Sequence, residues 1–134
     1  MVYTQLIKLK AMKIVKTIFF ILFGLMMINA GMDKFFHYMP MPEIPAEMMK
    51  INEAMMTLKW ILPLVATIEI LSGILVLMPK TRALGAVMIF PVMIGILCHN
   101  STFMPESLII AGVFFLNNIW MLIDNKEKIK HLIS

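Results

Sequence analysis

The sequence predicts an all-α fold. The expected object is a polytopic membrane protein, a four-transmembrane-helix bundle with an amphipathic helix in its first outer loop. Three observations predict it. The chain is 60% hydrophobic and 15% charged, whereas a soluble domain averages about 45–50% apolar and about 25% charged. Four long apolar runs occur, at about 15–32, 60–78, 83–99 and 106–123, and a helix crossing a bilayer needs about 17–25 such residues. The basic residues gather between the runs rather than within them. A chain of 134 residues is expected to form one membrane domain, 1–134.

The first run follows Lys8, Lys10, Lys13 and Lys16. From Met12 the segment "MKIVKTIFFILFGLMMINAG" also has the shape of a signal peptide, with small residues at its end where cleavage after Ala30 would fall. Retention is favoured, because the polar stripe just beyond it belongs to the final structure. Met12 is also a sensible start, which makes residues 1–11 an upstream extension.

The outer loop, 33–59, contains "MPMPEIP", whose three prolines, Pro40, Pro42 and Pro45, disfavour helix. From Ala46 a helix is expected. Met48, Ile51, Met55, Leu58 and Leu62 recur at spacings of three and four and form one apolar stripe. Glu47, Lys50, Glu53 and Thr57 supply the other face, as in a helix lying on a membrane surface. The second span ends at Pro79, and "PKTR" turns it back into the third. Pro91 interrupts the third span and is expected to kink it. "STFMPE" leads to the fourth, with Pro105 suited to a first helical turn.

Direction follows from charge. Nine Lys and Arg fall on the side of the termini and the Lys80–Arg82 turn; Lys34, Lys50 and Lys59 fall on the other. The positive-inside rule then puts both termini in the cytoplasm, as in a multi-pass protein of the cytoplasmic (inner) membrane.

Glu69 stands alone as the charged residue in "WILPLVATIEILSGILVLM", residues 60–78. An acidic residue at a helix centre costs roughly 2.5–3.5 kcal/mol on insertion, so something must offset it. Ala66, Ser72 and Gly73, three and four residues away, are small, which marks a helix-packing face. Glu69 is therefore expected to point into the bundle. Asn29, Asp33 and His37 are four apart on one helical face, and His99 and Asn100 close the third span at the same level. Depth matching predicts a polar pocket, open outward, walled by Asn29, Asp33, Glu69 and His99. Lys34, His37, Asn117 and Asn118 are secondary candidates.

Each residue also has a plain structural reading. A protonated Glu69 bonded to Asn29 or Asn118 would be an interhelical staple. Asp33 and Lys34 would be a surface pair. His99 would cap its helix, and Asn117 and Asn118 would be packing glue.

Several classes are excluded. A single cysteine, Cys98, allows no internal disulfide, redox dithiol or cysteine-based zinc site. The basic clusters flank apolar spans, so nucleic acid is not expected as a partner. The phosphate-binding and nucleophile motifs of self-contained enzymes are missing from the sequence, which favours an accessory or non-catalytic role. No metal site is assigned. The sixteen methionines include six in the outer loop, Met39, Met41, Met48, Met49, Met55 and Met56. Thioethers beside His37 are suited to Cu(I), but a general methionine bias explains them too.

The segment "FGLMMINAGMDKFFHYMPMPEIP", with Gly24, Gly31 and Lys34, followed by "IEILSG", with Glu69 and Gly73, resembles the DoxX family of small four-helix membrane proteins. The resemblance covers about residues 14–124. It implies a four-helix bundle in the cytoplasmic membrane. It also implies an association with redox systems, since some relatives are subunits of quinone-linked oxidoreductases, including thiosulfate oxidation, and others accompany thiol or oxidative-stress proteins. The leading expectation is an accessory subunit that interacts non-covalently with quinone, using Glu69, His99 and Asn29. Transport of a small solute or proton, and a non-catalytic scaffold, are the alternatives. The expected partners are the lipid bilayer and a redox partner protein or a second copy of the chain.

Overall fold

A computed structural model describes residues 1–40 and 43–133. Met41, Pro42 and Ser134 lie outside the described residues, and with them one methionine and one proline of the outer loop. The elements are α1 (Val2–Phe36), α2 (Ala46–Thr57), α3 (Ile61–Leu77), α4 (Arg82–Phe103), a 3-10 turn (Pro105–Ser107), α5 (Leu108–Asp124) and α6 (Lys126–Lys130). The upper end of the bundle carries α2; the lower end carries the turn between α3 and α4, and α6.

Three helices, α1, α4 and α5 with its 3-10 turn, are long and apolar enough to cross a membrane. α3 passes the same test only when counted as one span with α2, from which it is bent by 85°, which makes three such helices, or four with that pair. The bend falls at Lys59, whose φ of 64° is left-handed. The bend turns α2 away from the axis of α3. The first part of the α2 stripe faces the protein, with Met48 buried and Ile51 and Met55 half-buried, whereas Leu58 is exposed.

α1 runs well past its apolar run at both ends. At 35 residues it is about 52 Å long, against about 30 Å of hydrocarbon. Residues 2–15 are exposed. Residues 2–11 are part of the same helix as the apolar run.

α1 and α3 pack most closely, because small residues meet. A Cβ on Gly24 would lie 2.8 Å from the Gly73 carbonyl oxygen, and one on Gly73 2.7 Å from that of Gly24. One on Gly31 would lie 2.6 Å from the Ala66 carbonyl oxygen. Gly24 thus faces Gly73, and Gly31 faces Ala66, with seven residues between contacts on each helix. That repeat keeps one seam of two antiparallel helices in register. α3 then meets α4 at Gly85, where a Cβ would lie 2.7 Å from the Ser72 carbonyl oxygen. Below them the Thr81 hydroxyl donates to the Leu75 carbonyl at 2.7 Å, and Arg82 Nε to Val76 at 2.8 Å.

α4 meets α5 through Phe90 stacked on Phe115, and through Asn118, whose amide donates to the Ala86 carbonyl at 3.1 Å. α5 returns to α1 in the lower half. There Phe114 meets Phe23, Trp120 meets Phe20, Asn117 donates to the Phe19 carbonyl at 3.1 Å, and Asp124 pairs with Lys16 at 2.7 Å. Phe20, Phe23, Val76, Ala86, Ile89, Met93 and Met121 form the core. α4 stays one helix through Pro91.

Candidate functional site

Glu69 is 2% exposed, deep in the upper half of the bundle. It sits one turn from Ala66 and Gly73, so the seam that brings α1 against α3 also carries the carboxylate inward. Its partner is Lys34, in the last turn of α1. The ammonium lies 3.0 Å from Oε1 and 2.8 Å from Oε2. Lys34 keeps 30% of its side chain exposed. The ammonium is the offset that a carboxylate in a span requires: charge on charge, with both oxygens bonded. Two of its three N–H donors are used. The third has no protein partner among the described residues.

Two cavities adjoin this pair. The first, of about 390 Å³, lies between α1, α4 and α5, with Met26, Met27 and Asn29 on one side and Ile110, Ala111 and Phe114 on the other. The second, of about 530 Å³, lies between α3 and α4, beneath Met55 of α2. Its walls include Val65, Ile68, Pro91, Gly95 and His99. Lys34, Glu69, Ile96 and Asn100 line both. Each volume falls within the roughly 300–1,000 Å³ of small-molecule sites. The chemistry is an apolar slot on either side of one ion pair.

Of the four residues expected to wall a pocket, Glu69 lines both cavities, Asn29 the first and His99 the second, against the Phe103 ring at 5.3 Å. Asp33 lines neither; its carboxylate accepts the Met39 main-chain N–H at 2.8 Å. Asn29 binds neither Glu69 nor Lys34. Its carboxamide oxygen accepts from the Tyr38 hydroxyl, and its nitrogen lies 3.2 Å from Met39 Sδ. The interhelical staple through Asn29 or Asn118 is therefore replaced by Lys34, and the surface pair of Asp33 with Lys34 is absent for the same reason. His37 is off the helical face of Asn29 and Asp33, because α1 ends at Phe36 and His37 turns left-handed, φ 51°. Asn117 and Asn118 bond helices together in the lower half, away from the cavities. The described loop methionines divide among surroundings. Met39 lines the first cavity and Met55 the second, Met48 is buried, and Met49 and Met56 are exposed.

Asn100, level with the expected walls but not counted among them, lines both cavities, and Lys34, a secondary candidate, is the partner of Glu69. One signal was available for Lys34. A cation at the end of a span, within a side chain's length of a buried acid on the neighbouring helix, is the obvious counter-ion.

An all-α bundle of membrane-spanning helices, tied in its upper half by one acid–lysine pair, defines a class of small multi-pass membrane protein. The family is identified more narrowly by sequence. The DoxX family model matches residues 16–100, well over half of the chain. The protein belongs to the DoxX family. The match takes in both Lys34 and Glu69 and ends at Asn100, so α5 lies beyond it. No curated protein and no solved structure matches the chain.

Proposed function

We propose that this DoxX protein is an accessory subunit of a membrane redox system and holds a quinone without covalent attachment, its head group at Lys34 and Glu69. In this reading it sits in the cytoplasmic membrane with both termini inside and α2 on the outer surface. The carrying observation is the Lys34–Glu69 pair, its carboxylate buried and its lysine partly exposed, lining two predominantly apolar cavities at once. A quinone carbonyl accepts hydrogen bonds, and the third N–H of Lys34 is a donor of suitable kind. The ring and isoprenoid tail need an apolar slot, and either cavity supplies one. Glu69 is a proton-holding group next to the head, as quinone reduction requires.

Transport is less well supported. Below the cavities the interior is filled by Phe20, Phe23, Val76, Ile89 and Met121. A path through the bundle would require these side chains to part.

The test is titration of a short-tailed quinone into detergent-purified protein. Lys34→Met is expected to weaken binding at least about tenfold, the loss of one charge-assisted hydrogen bond. Gly95→Leu places a side chain in the second cavity, since a Cβ there meets nothing within 4 Å. It separates the cavities: weaker binding assigns the ring to the second, unchanged binding to the first. Equal affinity for wild type and a folded Lys34→Met would end the reading.

A further inference from the structure

The four residues after α1 do more than connect. His37 reverses the chain with its left-handed φ of 51°. Tyr38 then folds back over α1, its hydroxyl donating to the Asn29 carboxamide oxygen and lying 3.0 Å from the Asn29 main-chain carbonyl. The Met39 N–H donates to Asp33 Oδ1 at 2.8 Å, and the Asn29 amide nitrogen donates to Met39 Sδ at 3.2 Å. Met39 thereby lines the first cavity, together with Asn29, Lys34 and Glu69. Asn29 and Asp33, one turn apart on α1, spend their polar groups on this segment alone.

We propose that residues 37–40 are a strap that gates the first cavity from the upper side, with Asn29 and Asp33 as its latch and Met39 as its stopper. The ligand class is that of the site below: an apolar molecule with a hydrogen-bond-accepting head. This role for the strap rests on the quinone reading only for what passes through. The gate itself is a property of the fold. Every latch bond is solvent-exposed and individually weak, so the strap opens without disturbing the bundle. Floor and lid are distinct: Met93 lines the same cavity from α4 and is 2% exposed.

The test uses the full chain in a Cys98→Ala background, carrying Met93→Cys. The rate of modification by a small charged methanethiosulfonate reagent reports access to the cavity floor. Adding Tyr38→Phe, or separately Asp33→Ala, is expected to raise that rate at least about tenfold. Ile89→Cys, at a core position that lines neither cavity, is the control and is expected to stay unreactive in the same backgrounds. An unchanged rate at position 93 in both latch variants would overturn the gate. So would equal rises at positions 93 and 89, which would mean general loosening. Quinone titration is read separately. Lost quinone binding with latch-dependent labelling removes the ligand reading and leaves the gate. Latch-independent labelling with normal quinone binding does the reverse.

Discussion

Lys34 reaches Glu69 from well above it. Gly31 faces Ala66, so Lys34, three residues higher, is level with Pro63, six residues above Glu69. Six residues are about 9 Å of helix, a gap that only two long side chains close. The lysine points its stem down into the protein instead of snorkelling up to the interface. That is why the sequence showed the acid but not its partner: depth matching compares Cα levels, and this pair meets by its tips. Removing one member of a buried pair is costly, because the other charge is left behind. Lys34→Met is expected to destabilise the protein by about 2–4 kcal/mol, the lower part of the usual range because the lysine is partly exposed. Lys34→Met with Glu69→Met should recover more than half of that loss. Reversible unfolding of the two singles and the double, read as a double-mutant cycle, checks it. Two fully additive losses would mean that the residues do not interact.

At the scale of elements, the close approach of α1 and α3 rests on the absence of three side chains, at Gly24, Gly31 and Gly73. Gly73→Val is expected to cost more than about 2 kcal/mol, because its Cβ would meet a backbone oxygen at 2.7 Å and α1 would have to move away. Gly95 and Gly112 are also in helices, yet a Cβ at either meets nothing within 4 Å. Alanine at those positions should be neutral, or stabilising by up to about 1 kcal/mol through helix propensity. The three variants compared by thermal unfolding test the seam. Loss of stability at all three would point to a general intolerance of larger residues. The helices were legible in the sequence because apolar runs bounded by Lys, Pro and polar turns have few other readings. Their ends were less so. α1 continues to Phe36 because Lys34 and Asp33 find partners that let the helix persist beyond the apolar run. The expected helical line Asn29–Asp33–His37 breaks at its last member, since a left-handed residue at a helix end is set by local backbone geometry that periodicity does not report.

At the scale of the molecule, the bundle is closed below and hollow above. The lower half joins α1, α4 and α5 through aromatic contacts, two asparagine amides and the Lys16–Asp124 pair. That ion pair is about 30% exposed on both sides, so Asp124→Ala should cost less than about 1 kcal/mol, as thermal unfolding would show. The upper half divides around Glu69 and Lys34 into two chambers. The polar level was legible as a whole, because charged and amide residues are rare in spans and stand out. Its division into pair, latch and walls was not, since that depends on which side chain reaches which. The pair is proposed to be a binding centre as well as a strut. The most direct measurement is the quinone content of lipid extracts from detergent-purified protein, wild type beside Glu69→Gln. Near-stoichiometric quinone is expected in the wild type, and a loss of most of it in a folded Glu69→Gln. No quinone in either, or equal amounts in both, would contradict this and leave Glu69 as a tie between helices.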